Sequence, residues 1–214
     1  MFGGITISGL LLRVSAAFAA LVIHEMVKAR CSTMMGDPTP RNSGLMSGNP
    51  IKYLEPIGFI VTVVFGFGWG RPTPTSPLYY RDRMKGMLVT YLTPSMVNLL
   101  VGLLAALFVG AFRMAAVQAV VVYMPMALIA VNWVFSFFIT FAHFSVGVAV
   151  FNMIPVPPLD AAKLLQAVLS PNAAIKMTQN EKLLQLVLMM LIILGIIPQI
   201  IGSVTFMLVN SALA

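Results

Sequence analysis

His24 and Glu25 stand side by side in the stretch Leu21 to Arg30, L-V-I-H-E-M-V-K-A-R, with no polar neighbour before Lys28. Hydrocarbon disfavours ionisable groups, so a pair of them inside a membrane-grade segment marks a candidate functional site. The pair opens H-E-x-x-H, a pattern in which two histidines one helical turn apart hold zinc and the glutamate serves as general base. Here the pattern breaks, because the position four residues after His24 is Lys28. A protonated lysine has three donors and no lone pair, and its charge opposes a nearby dication.

The elements that position these residues must be membrane helices. The chain of 214 residues is 59% hydrophobic and 9% charged, with a mean hydropathy of +0.96, which excludes an ordinary water-soluble domain. Lipid offers no partners to unpaired backbone groups, so an all-α polytopic membrane protein is expected, with four to six membrane segments of which one is short or re-entrant. The net charge of +7 would suggest a nucleic-acid partner for a soluble domain. In this chain the cations cluster in loops between apolar runs, so membrane lipid is the expected partner and nucleic acid is not. The one cysteine, Cys31, excludes an intrachain disulfide and a cysteine-based metal site.

A single membrane domain is expected over 1–214. The first helix covers 5–35, and a leader-like cleavage there would remove the His24 motif, so the segment is read as retained. Residues 36–85 form a loop with room for a short strand or hairpin near Thr39 to Asn49, followed by a membrane-dipping segment, Pro56 to Phe67, too short to span. The prolines of Trp69 to Pro77, W-G-R-P-T-P-T-S-P, are too dense for a helix and predict an extended loop, with Trp69 as an interfacial anchor. A second helix covers 86–112. The region 115–154 has about twice the length of one crossing, so Pro125 is expected to mark a kink or entry segment before a crossing from Ala127 to Met153. Pro155, Pro157 and Pro158 end it. An amphipathic helix follows within 155–170, and apolar helices at 182–212 are interrupted at Pro198.

With the short segment dipping rather than crossing, Lys28, Arg30, Arg41, Lys52, Arg71, Arg81, Arg83, Lys85, Lys163, Lys176 and Lys182 fall on or near one side, and Arg113 alone on the other. That asymmetry predicts cytoplasmic loops, external termini, and an integral multi-pass protein of a bacterial-type inner membrane. It also brings His24 to a depth near Asp160.

Several ordered motifs resemble the site-2 protease family of intramembrane zinc metalloproteases. His24-Glu25 opens the family's H-E-x-x-H helix. G-D-P-T-P-R, L-M-S-G-N-P-I-K-Y-L-E-P-I-G and W-G-R-P-T-P-T-S-P resemble the segments that follow it in short bacterial members. L-T-P-S-M-V-N-L-L, Leu92 to Leu100, resembles G-P-x-x-N with Thr93 in place of glycine. F-N-M-I-P-V-P-P-L-D-A, Phe151 to Ala161, resembles F-N-x-x-P-x-P-P-L-D-G with Ala161 in place of glycine.

The resemblance implies that His24 and Asp160 are zinc ligands and Glu25 the general base, with Asn98 and Asn152 contacting substrate or a neighbouring helix. Zinc would lower the pKa of its water and polarise a peptide carbonyl. Lys28 departs from that set, and two protein ligands would bind zinc poorly. The expectation is that the metal site is vestigial, with no cofactor, and that the Lys28 ammonium replaces the metal by pairing with Asp160 or Glu25. Snorkelling of Lys28 to the interface is the alternative. His143, roughly 25 Å from Asp160 along a continuous helix, is discounted as a replacement ligand. The sixteen methionines are read as packing groups.

The expected function is that of a catalytically inactive pseudoprotease acting as a subunit, scaffold or assembly factor of a membrane protein complex, with other transmembrane subunits as partners. The alternative is an active zinc metalloprotease cleaving transmembrane substrates, with Zn2+ bound. A channel or carrier ranks last, since no paired broken helices recur in two halves of the chain.

Overall fold

The computed structural model describes residues 6–123 and 127–213, and among these the regular structure is helical. Helix α1 (Ile7–Met34) opens on Thr6, whose hydroxyl accepts the Gly9 amide at 3.1 Å. Its 28 residues give a length of about 42 Å, more than the roughly 30 Å hydrocarbon core. Ala16, Ala17 and Ala20 are fully buried and carry little bulk, so α4 (Arg83–Tyr123) and α5 (Leu128–Asn152) pack closely on this face. Helix α9 (Ile196–Leu213) completes the bundle against α4 and α5. There Gly110 leaves no room for a β-carbon, which would lie 2.8 Å from the Leu213 carbonyl oxygen. These four helices are long and apolar enough to cross a membrane.

The short helices arrange the site. Helix α2 (Thr39–Asn42) follows α1, and α3 (Pro56–Phe65) has 10 residues, about half of what a crossing needs. Glu55 accepts the Gly58 amide at the start of α3, and Gly66 ends it at φ +83. The last carbonyls of a helix have no intrahelical donor, and inside a membrane that is costly. Arg13 of α1 supplies donors: its Nε bonds the Val63 carbonyl at 2.7 Å and its Nη2 the Val64 carbonyl at 2.6 Å. Its guanidinium also lies 5.3 Å from the centroid of the Phe144 ring. The charge within the first apolar run is thus a cap for α3. From Gly66 the chain doubles back as an extended segment through Thr75, as the prolines predict. Helices α6 (Asp160–Val168), α7 (Pro171–Gln179) and α8 (Glu181–Ile193) connect α5 to α9.

Three expectations need correction. Residues 36–49 hold no strand or hairpin; Gly44 at φ +71 and Gly48 at φ +78 instead bracket a single 3-10 turn, Leu45–Ser47, after α2. The second helix does not stop at 112, because nothing from Arg113 to Tyr123 breaks it: that segment has neither glycine nor proline, and α4 runs on for 41 residues. Helix α5, Leu128–Asn152, coincides with the crossing expected from Ala127 to Met153. The C-terminal break falls at Gly195, φ +80, rather than at Pro198, which sits in the first turn of α9 where no intrahelical N–H is needed. Helix α7 was not foreseen. The expectations for Ile5 and Pro125 lie outside the described residues.

Candidate functional site

Helix α1 presents His24, Glu25 and Lys28 from adjacent turns, and α6 presents Asp160 from its first residue. All four are buried, with Lys28 only 5% exposed, so the side chain does not snorkel. Lys28 Nζ donates to Glu25 Oε1 at 2.8 Å and lies 2.8 Å from Asp160 Oδ1. His24 Nε2 lies 2.9 Å from Asp160 Oδ2, and His24 Nδ1 has no partner among the described residues. A proton on Nδ1 would be a buried unmatched donor, so the network favours the tautomer in which Nε2–H donates to Asp160. The second Glu25 oxygen, Oε2, accepts the Thr73 hydroxyl at 2.8 Å. Each carboxylate oxygen of the pair thus has a donor, and one ammonium lies between two carboxylates.

The extended segment is fitted to this network. A β-carbon on Gly70 would lie 2.5 Å from Glu25 Cγ and 2.8 Å from the Tyr53 carbonyl oxygen, so only glycine permits this approach. The Arg71 amide bonds the Tyr53 carbonyl at 2.8 Å and fixes the register. Asn152 Nδ2 donates to the Val148 carbonyl at 2.9 Å and reaches the Gly68 carbonyl at 3.4 Å, and the residue lines the cleft. Asn98 behaves differently: its Nδ2 donates to the Ala20 carbonyl at 3.0 Å, one turn before His24, so it contacts a helix and is not part of the cleft lining. Trp69 is half-buried, its ring 6.1 Å from that of Phe151, and it lines the cleft as well as any interface. His143 is engaged with the Ile139 carbonyl of its own helix at 2.9 Å.

Asp37 was missed as an organising residue, although aspartate before Pro-Thr is a recognisable turn signal. It is fully buried. Its Oδ2 accepts the Ser32 hydroxyl and the Ser76 amide, both at 2.8 Å, and its Oδ1 accepts the Thr39 amide at 2.9 Å and the Thr39 hydroxyl. One side chain ties the end of α1 and the start of α2 to the cleft segment. Burial pushes the Asp37 carboxyl up, but these donors outweigh it and hold it below the ordinary value of 3.8. Since the native value is the lower one, the stabilisation is complete above 3.8 and is lost as pH falls through the native value. Thermal unfolding in detergent is therefore expected to weaken more steeply on acidification in the unaltered chain than in Asp37→Asn, which starts weaker and has no carboxylate there to protonate. Parallel acid limbs would show that the network contributes nothing.

The residues present do not fit a zinc ion. Among the described residues no group of three His, Cys, Asp or Glu side chains could hold a metal. Of the three ligand positions in the family pattern only His24 and Asp160 carry side chains that can ligate, and two protein ligands are too few for a zinc site. The Lys28 ammonium stands 2.8 Å from Asp160 Oδ1, so a dication near that carboxylate would meet a fixed positive charge.

The comparisons with known proteins agree with the motifs. The sequence model of peptidase family M50 matches residues 2–195. A relative from Bacillus subtilis (strain 168), named "Putative zinc metalloprotease YwhC", is 31% identical over 163 residues, covering 76% of this chain and 71% of the relative. No solved structure matches the chain. With four apolar helices of crossing length, the protein is an integral multi-pass membrane protein, and it belongs to peptidase family M50, the site-2 protease family.

Proposed function

We propose that this chain is a catalytically inactive member of its family, a pseudoprotease that keeps the membrane fold as a binding scaffold, subunit or assembly factor for other transmembrane proteins. The observation that carries this reading is the Lys28 ammonium, 2.8 Å from both Glu25 Oε1 and Asp160 Oδ1, in the place where the family pattern has its second histidine. Glu25 is no general base in this setting, because Lys28 and Thr73 occupy its two oxygens and no activated water is needed to explain its burial. The protein works without a metal cofactor. Its cationic loops face the cytoplasm of a bacterial-type inner membrane, and its partners are transmembrane helices.

The competing reading is an active zinc metalloprotease, favoured by the name of the Bacillus relative. Glu25→Gln separates the two, since removing a general base costs roughly 10²–10⁴-fold in rate. Quantitative proteomics of membranes expressing the unaltered chain or Glu25→Gln should give the same set of membrane-protein fragments. A transmembrane protein whose cleavage requires Glu25 would overturn the pseudoprotease reading.

A further inference from the structure

The cleft above the Lys28 network has a volume of about 740 Å³. Its floor leaves no carboxylate oxygen without a donor, although one Lys28 ammonium between two carboxylates leaves it one net negative charge. The wall is different. Arg83, the exposed first residue of α4, and Lys163, half-buried on α6, line the same cavity. Among the described residues the side chain of neither forms a hydrogen bond or an ion pair: the ion pairs present are all in the Lys28 network, and the adjacent Asp82 accepts the Lys85 amide. Trp69, Met87, Tyr91 and Ile175 give the cavity an apolar side.

Two unpaired cations that outnumber the one net negative charge of the floor, beside an apolar wall and with one of them at the N-terminal end of the candidate crossing helix α4, match the chemistry of an anionic phospholipid. Basic pockets between membrane helices take such head groups. An acidic peptide would use the cations but has no comparable reason to use the apolar wall. We propose that this cleft binds an anionic phospholipid, with its phosphate held by Arg83 and Lys163 and an acyl chain against Trp69, Met87 and Tyr91. The inference deepens the binding-scaffold reading and rests on it, since the ligand is held and not cleaved.

Trp69 lines the cleft and is one of two tryptophans, so Trp133→Phe leaves it as the sole indole reporter. The full chain with that change is placed in phosphatidylcholine nanodiscs doped with increasing phosphatidylglycerol, and Trp69 emission is followed. A saturable change dependent on phosphatidylglycerol is expected. Arg83→Gln with Lys163→Gln should weaken it about 30-fold at low salt, from two lost charge contacts. Neither side chain has a partner to lose, so circular dichroism and thermal unfolding should match the parent. An unchanged midpoint in the double variant, or an equal response to added phosphatidylcholine, would overturn the proposal. A response to soluble glycerol phosphate at the same concentration would assign the cations to a free phosphate and also overturn it, as would an equal Trp69 response to an acidic peptide in pure phosphatidylcholine. Zinc content is read on the same samples, so bound zinc with an intact lipid response would sink the pseudoprotease reading alone.

Discussion

Lys28→Met is expected to unfold at a temperature roughly 6–20 °C below the unaltered chain, and to be recovered from membranes in lower yield. Methionine keeps the length and apolar stem of lysine, so the change removes the charge with little loss of packing. What remains is a buried site in which Glu25 and Asp160 face each other without a cation. Breaking a buried ion pair by removing one partner costs about 3–5 kcal/mol, most of it the penalty of an uncompensated charge. The attribution can be checked by adding Asp160→Asn to Lys28→Met. The second change removes one orphaned charge, so the double variant should recover part of the loss, with a coupling of about 0.5–3 kcal/mol. Thermal unfolding of the purified chains in one detergent reads both numbers. A Lys28→Met variant as stable as its parent would mean that the cation does not hold the site together.

Lys28→His is expected to gain a metal. The substitution restores two imidazoles one turn apart on α1, with the Asp160 carboxylate already 2.9 Å from His24 Nε2, giving three protein ligands and one open position. It also removes the fixed positive charge and the donor that occupies Asp160 Oδ1. The variant should lose stability without zinc, for the reason that Lys28→Met does, and recover it with zinc. At free zinc about a hundredfold above the dissociation constant the recovery is about 2.7 kcal/mol. A chelator should therefore lower its unfolding temperature and leave that of the unaltered chain where it was. If zinc fails to stabilise Lys28→His, the cage has lost more than its second histidine.

Much of this site was legible in the sequence because its determinants are local. His24, Glu25 and Lys28 share one helix, so their proximity follows from spacing, and the charge asymmetry of the loops brought Asp160 to the same depth. The helix ends were less legible. Gly195 rather than Pro198 breaks the C-terminal segment, because a proline in a first turn costs a helix nothing while a glycine at positive φ ends one. The extension of α4 past Phe112 lies in a segment, Arg113 to Tyr123, that has neither glycine nor proline to mark an end. Arg13 and Asp37 carry tertiary information that no spacing reveals: the carbonyls that Arg13 caps lie 50 and 51 residues away, and Asp37 reaches the Ser76 amide 39 residues on. Asn98 matched its motif position but serves α1 rather than the cleft, a distinction set by which way its side chain points.

The central claim is that lysine has replaced the metal, and zinc per chain tests it most directly. The measurement is made by elemental analysis on the unaltered chain purified without chelator, beside Lys28→His and His24→Ala. The account predicts background zinc in the unaltered chain and in His24→Ala, and close to one zinc per chain in Lys28→His. Near-stoichiometric zinc in the unaltered chain, lost in His24→Ala, would contradict it and make this protein a working metalloprotease in search of its substrate.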